Sequence, residues 1–197
     1  MDYQIASKNV IFTIVLLSQL YIIGVFLYKN VSNNQTVTLC SNGQQLTAVF
    51  HLREEVTVLI PASSVKDTLD CLRRGMSFND RTIEYVIAKD TSSALIEVLH
   101  ARYAVNEEQD ELELALTIPV RLSGDTVEIG GASSIAVFLK EISNPFKFIE
   151  YVAEKNSPTV IVPEINEVIA RLIEKNIIDS NIIITELREG EYATIDL

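Results

Sequence analysis

The sequence predicts an α+β protein: one N-terminal transmembrane helix followed by a mostly antiparallel sheet with three to four packed helices. Three observations predict it. Residues 10–28, VIFTIVLLSQLYIIGVFLY, carry no charge and are bracketed by Lys8 and Lys29. An Asn42-Gly43 turn and a long period-two alternation over residues 111–122 mark antiparallel strands. Capped, helix-period apolar stripes recur before and after that alternation.

The apolar run has three readings. A cleaved signal peptide needs small residues at its exit, and Phe26, Leu27 and Tyr28 are bulky. A buried core helix of a globular protein shows a polar face, and Thr13, Ser18 and Gln19 are too few to make one. An uncleaved signal-anchor fits the length, because a helix rising about 1.5 Å per residue needs roughly 20 residues to cross about 30 Å of hydrocarbon. Tyr21 and Tyr28 suit the interface near the exit. Lys8 and Lys29 nearly tie on the positive-inside rule; a short leader before a long C-terminal domain favours an extracytoplasmic domain. The opposite orientation makes the chain a membrane-tethered regulator with a cytoplasmic domain. The chain then divides into a leader (1–9), the anchor (10–28), a linker (29–35) and a globular α+β domain (36–197). The domain holds two candidate subdomains, 36–129 and 130–197.

The 197 residues carry a net charge of −11, and residues 1–30 hold only Lys8, Lys29 and Asp2, which leaves −12 for the remainder. Such a domain repels phosphate backbones and anionic headgroups, so nucleic acid is not an expected partner. Its apolar content is that of a folded domain. The only cysteines, Cys40 and Cys71, form no CxxC and no Cys/His cluster, so they are a candidate disulfide rather than a zinc site.

Taken in order, the linker carries two sequons, at Asn30 and Asn34. Around Asn42-Gly43 a hairpin pairs Leu39 with Leu46 and Val37 with Ala48, and sets Cys40 and Thr38 on the polar face. Residues 56–60 make a third strand, stopped by Pro61. Residues 62–74 read as a helix capped by Ser63 or Ser64, with Val65, Leu69, Leu72 and Met76 as its stripe and Cys71 beside it. Arg73 and Arg74 suit its C-terminus. Residues 83–87 are a strand and 94–105 a broken apolar run; 106–110 make a turn. Residues 111–122 then form one strand of roughly 40 Å at about 3.3 Å per residue, interrupted for pairing purposes by Pro119. Residues 126–129 follow as a strand, then helices at 132–142 and 145–155, the latter opened by Asn144-Pro145. A strand at 159–162, a helix opened by Pro163, and strands at 182–184 and 192–195 close the chain. The unit TVLIP–helix–strand resembles TVIVP–helix–strand further on, which raises an internal duplication.

Chemistry is sparse. Ser63 and Lys66 fit S-x-x-K without its companion motifs, so a serine that caps a helix competes with a membrane-anchored hydrolase. His51 and His100 are the only histidines, and neither has a catalytic context. The acids from Glu107 to Glu113 lack a calcium-loop pattern, and Gly130-Gly131 lacks the rest of a phosphate loop. No cofactor, metal or catalytic residue is assigned. The expected function is a non-enzymatic interaction or structural subunit of a membrane- or envelope-associated complex. Its partners are proteins or further copies of itself, besides the membrane bound through residues 10–28. The candidate partner-binding edge is the solvent side of the long strand: Glu113, Thr117, Pro119 and Arg121. Such an edge accepts a chosen strand by β-augmentation.

Overall fold

The computed structural model describes residues 18–23, 35–52, 57–76, 80–88, 91–109, 113–114, 119–130, 134–155, 159–177 and 182–196. The chain divides into two units, Met1–Asn34 with Arg53–Glu55, and Gln35–Leu52 with Val56–Leu197. Of the first, residues 18–23 are described as one short, exposed helical run. Among the described residues no helix is long and apolar enough to cross a membrane. The expected transmembrane helix is overturned, and with it the single-pass signal-anchor and the membrane placement of the domain. Residues 10–17 and 24–28 of that run, and both sequon asparagines, lie outside the described residues.

The second unit runs β1 (Thr36–Ser41), β2 (Leu46–His51), β3 (Thr57–Ile60), α1 (Val65–Gly75), β4 (Thr82–Ile87), α2 (Ser93–Arg102) and β5 (Ala104–Gln109). It continues as β6 (Glu113–Leu114), β7 (Val120–Ser123), β8 (Thr126–Ile129), β9 (Ile135–Phe138), α3 (Pro145–Lys155), β10 (Thr159–Pro163), α4 (Glu167–Ile177), β11 (Ile183–Leu187) and β12 (Tyr192–Asp196). In place of one mostly antiparallel sheet there are two mixed six-stranded sheets, ordered β12-β1-β2-β3-β4-β5 and β11-β10-β9-β8-β7-β6. β3, β4 and β5 are parallel, as are β9, β10 and β11, and helices make the crossovers. The remaining pairs are antiparallel. Parallel neighbours need a crossover, usually helical, which is why helices alternate with strands in both runs.

Strand periodicity makes the layers. Val37, Leu39, Ala48, Phe50, Val58 and Ile60 of the first sheet face Val127, Ile129, Val137 and Ile161 of the second in one inner core. The alternate residues Val49, Leu59 and Val86 meet Cys71, Leu72, Leu95 and Leu99 of α1 and α2. On the other side Ala136, Val160 and Val162 meet Phe148, Val152, Ile169 and Ile173 of α3 and α4. The result is four layers, helices outside two facing sheets. Burying both faces of each sheet is what makes the central strands β2, β3, β9 and β10 largely apolar.

Several elements differ from expectation. The first hairpin pairs Leu39 with Ala48 and Ser41 with Leu46, two residues off the expected register. A two-residue slip preserves which face each side chain occupies. The turn spans Asn42 to Gln45, with Asn42 Oδ1 accepting from Gln44 and Gln45 N–H and Gly43 at φ 92°. Residues 106–109, expected in a turn over 106–110, belong to the strand β5. The long strand over 111–122 folds back on itself: Glu113 opposes Arg121 and Leu114 opposes Val120 in an antiparallel pair. Residues 135–138, expected in a helix, are β9, a strand paired on both sides. Pro163 ends β10 rather than opening a helix; α4 starts at Glu167, with Asn166 Oδ1 accepting from Ile169 N–H at 3.0 Å.

The two runs share the order strand, strand, strand, helix, strand, helix, strand, from β1 to β5 and from β7 to β11. In that order β3–α1–β4 corresponds to β9–α3–β10. The sequence resemblance between TVLIP and TVIVP instead sets β3 against β10, one unit out of phase. The sheets part between β5 and β6, whereas the expected 129/130 boundary falls between the paired strands β8 and β9.

Candidate functional site

Ser64, not Ser63, caps α1: its hydroxyl accepts from Asp67 N–H at 3.4 Å. Ser63 and Lys66 are both exposed, and Ser63 N–H donates to Gln45 Oε1 at 2.9 Å. Among the described residues no hydrogen bond joins the Ser63 hydroxyl to Lys66, so the S-x-x-K spacing is spent on a helix start. Cys40 and Cys71 form a disulfide with Cα atoms 5.7 Å apart, tying β1 to α1. Cys71 is 0% exposed and sits within the outer core, although the helical stripe alone placed it to one side. His51 ends β2 with its Nδ1 buried and unpartnered, and His100 Nε2 lies 2.8 Å from Glu108 Oε1 at the surface. With both sulfurs bonded to one another, neither cysteine is a free thiol for a histidine to activate.

Open α/β sheets bind ligands outside the carboxyl ends of their parallel strands. Here the carboxyl ends of β3, β4 and β9 meet between the sheets, at Ile60, Ile87 and Leu139. The crevice there holds only about 60 Å³, far below the roughly 300–1,000 Å³ of ordinary ligand pockets. The hairpin turn of β1 and β2 fills it. Leu46 N–H donates to Leu139 C=O at 2.8 Å, and Glu164 N–H donates to Gly43 C=O at 3.1 Å. Gln45 bridges Lys140 across the sheets, and Lys140 pairs with Asp125 at 2.9 Å. The loop from β3 to α1 is held down as well, since Ala62 N–H donates to the Thr47 hydroxyl at 3.2 Å. The polar groups that converge on this mouth are thus paired with one another.

The free sheet edges are more open. β5 is guarded by exposed Glu107 and Glu108, and β6 by its two-residue length; charge and shortness are how edges are protected. At the opposite side lie β11 and β12, consecutive strands that end the two sheets. Each has five residues, and they expose Ile183 (62%) and Tyr192 (55%). In the β1–β12 pair, Ser41 N–H donates to Glu191 C=O at 3.0 Å. Hydrogen-bonded and non-bonded pairs alternate in an antiparallel ladder, so Ala193 and Ile195 face β1. Tyr192, Thr194 and Asp196 turn their backbone groups to the free side. The Tyr192 ring packs under Arg74 at 4.5 Å, and the Thr194 and Thr38 hydroxyls are 3.5 Å apart, so the edge is held in place.

Of the edge expected from sequence, Glu113 lies on the edge strand β6, and Arg121 lies on β7 between β6 and β8. Pro119 is exposed just before β7, and Thr117 is outside the described residues. The β12 edge was readable only as a short terminal strand, because nothing in YATID says which side its neighbour occupies.

No family model matches the chain, and no curated protein matches it. Among solved structures it is similar to the metallo-beta-lactamase fold protein YhfI from Bacillus subtilis, at a TM-score of 0.47 and 8% sequence identity, over 82% of this chain and 100% of that one. A similarity at that level carries neither family nor chemistry across.

Proposed function

We propose that the chain is a non-enzymatic interaction module that takes up an extended partner segment along the free edge of β12. The observation that carries this reading is the ordered five-residue edge Tyr192–Asp196, with the backbone groups of Tyr192, Thr194 and Asp196 facing outward. Main-chain bonds to such an edge supply affinity, and alternate side-chain contacts supply specificity. The filled mouth at the strand carboxyl ends supports the same reading, because the usual place for chemistry is occupied by the protein's own turn. Glu189, Glu191 and Asp196, on or just before β12, outnumber Arg188 and the Arg74 stacked on Tyr192, so the segment it selects is basic. Complementary charge sets register and partner choice.

The test uses a display library of extended, lysine- and arginine-containing peptides against the purified chain. Thr194→Pro removes an outward-facing N–H while leaving the β1 ladder in place. Selected peptides should bind wild type and Thr194→Val, and lose at least tenfold in affinity against Thr194→Pro at unchanged thermal stability. Peptides that bind Thr194→Pro as well as wild type sink the edge as the binding site.

A further inference from the structure

At the end of the first sheet away from the filled mouth lies a cleft of about 490 Å³, inside the roughly 300–1,000 Å³ range of small-ligand sites. Three of its walls are cationic: Arg73 from the last turn of α1, Arg81 just before β4, and Arg102 from the last turn of α2. Its apolar lining is Leu72, Met76 and Tyr103. We propose that this cleft binds a phosphate ester, with the phosphoryl oxygens on Arg81 and Arg102 and the carbon body against Met76 and Tyr103.

Charge makes the first argument. On a chain of net −11, gathering three arginines around one concavity runs against the composition. Helix dipoles favour cations at C-termini, which accounts for Arg73 and Arg102. Arg81 is on no helix, so the dipole does not account for it. Pairing makes the second. Arg73 is engaged by Asp70, whereas among the described residues no ion pair or hydrogen bond occupies the side chains of Arg81 and Arg102. The one acid among the described lining residues, Asp80, is already used: its oxygens accept from Thr82 N–H at 3.0 Å and from the Thr57 hydroxyl at 3.5 Å. Two free guanidinium forks are what planar, bidentate recognition of phosphate oxygens requires.

Preorganisation makes the third. The backbone behind each group is tied down. Met76 N–H donates to Leu72 C=O at 2.9 Å, Tyr103 N–H to Leu99 C=O at 2.8 Å, and Ala104 N–H to Arg81 C=O at 2.8 Å. The first two bonds close the C-terminal turns of α1 and α2. The last links the β4 and β5 starts, and so fixes the spacing of Arg81 from Arg102.

The experiment is calorimetric titration of the chain with phenyl phosphate, inorganic phosphate and phenol, repeated for Arg81→Gln, Arg102→Gln, Arg102→Lys and the control Arg171→Gln. Arg171 sits on α4, paired with Glu167. The expected result is phenyl phosphate bound at least tenfold more tightly than inorganic phosphate, with no phenol binding. Affinity should fall at least tenfold in Arg81→Gln and Arg102→Gln, fall less in Arg102→Lys, and hold in Arg171→Gln, with melting temperatures unchanged throughout. No phenyl phosphate binding by wild type, or binding that both glutamine variants retain, overturns the site. Equal affinity for inorganic and phenyl phosphate overturns the ester assignment.

Discussion

Opening the Cys40–Cys71 bond removes a covalent tie between β1 and α1 that spans 31 residues. In the chain-entropy model, closing a loop of that length restricts the unfolded chain by about 3.7 kcal/mol at 25 °C. A domain of this size has a total stability of roughly 5–15 kcal/mol, so the bond is a large share of it. The contacts of the native state change little on reduction, because Cys71 stays packed among Leu72, Val49 and Leu59 as a small apolar side chain. The assay is urea unfolding of the oxidised protein, the reduced protein and the Cys40→Ala variant. With a urea slope of about 2 kcal/mol/M, the midpoint should fall by about 1.8 M on reduction and by a similar amount in Cys40→Ala. In that variant the Cys71 thiol, fully buried, should resist alkylation until the chain unfolds. Midpoints for oxidised and reduced protein within about 0.3 M of each other would refute the reasoning, as would prompt alkylation of the unreduced native protein.

Three further outcomes follow from the packing. Gly75 ends α1 against the sheet, and an added Cβ would lie 2.9 Å from Val49 Cβ and 3.2 Å from Thr38 Cβ. Gly75→Ala should therefore cost about 1–3 kcal/mol, with a less-than-additive loss in the Gly75→Ala/Val49→Ala double variant, which keeps the Val49 Cβ but removes the Val49 Cγ1 that also lies 2.9 Å from the added Cβ; additive losses would contradict the contact. Ser64→Ala should lower stability by about 0.5–2 kcal/mol, while Ser63→Ala should be near neutral in urea unfolding; the reverse order would restore Ser63 as the special serine. The Tyr151 hydroxyl donates to Glu128 Oε1 at 2.6 Å, and burial, then that hydrogen bond and the carboxylate charge, push its pKa upward. A raised folded pKa means stability present below about pH 10, the unfolded value, and lost as pH rises beyond it. Wild type should thus lose stability above pH 10 more steeply than Tyr151→Phe, and parallel pH profiles would count against the bond.

Local chemistry in the sequence determined much of the fold. The Asn144-Pro145 helix start, the capped helix after Pro61 and the closing strand at Tyr192 stand where short-range rules put them, because caps depend on a few neighbouring residues, whereas the first hairpin turn is centred one residue beyond Asn42-Gly43. Periodicity failed where burial removed it. Ala136 and Val137 are both 0% exposed on opposite faces of β9, so the run 135–138 shows no polar alternation and reads as helix as readily as strand. Residues 94–105 hide a helix-to-strand change at Tyr103 for a different reason: Ala94, Ala101 and Ala104 are apolar at exposed positions and blur either period. The alternation over 111–122 is real, but a period of two survives a fold-back, so only the pairing of Glu113 with Arg121 distinguishes a hairpin from one long strand. The apolar run at residues 10–28 satisfied a composition rule, yet among the described residues no helix is long and apolar enough to cross a membrane. The remaining features are long-range. β12 lies beside β1, 156 residues away at Thr38 and Thr194; Leu46 bonds Leu139 across the sheets; Arg73, Arg81 and Arg102 gather around one cleft. No window of sequence contains both partners of such contacts, so the filled mouth was decided only when the two sheets closed on their common core, and the free edge and the arginine cleft only when the first sheet assembled with its helices.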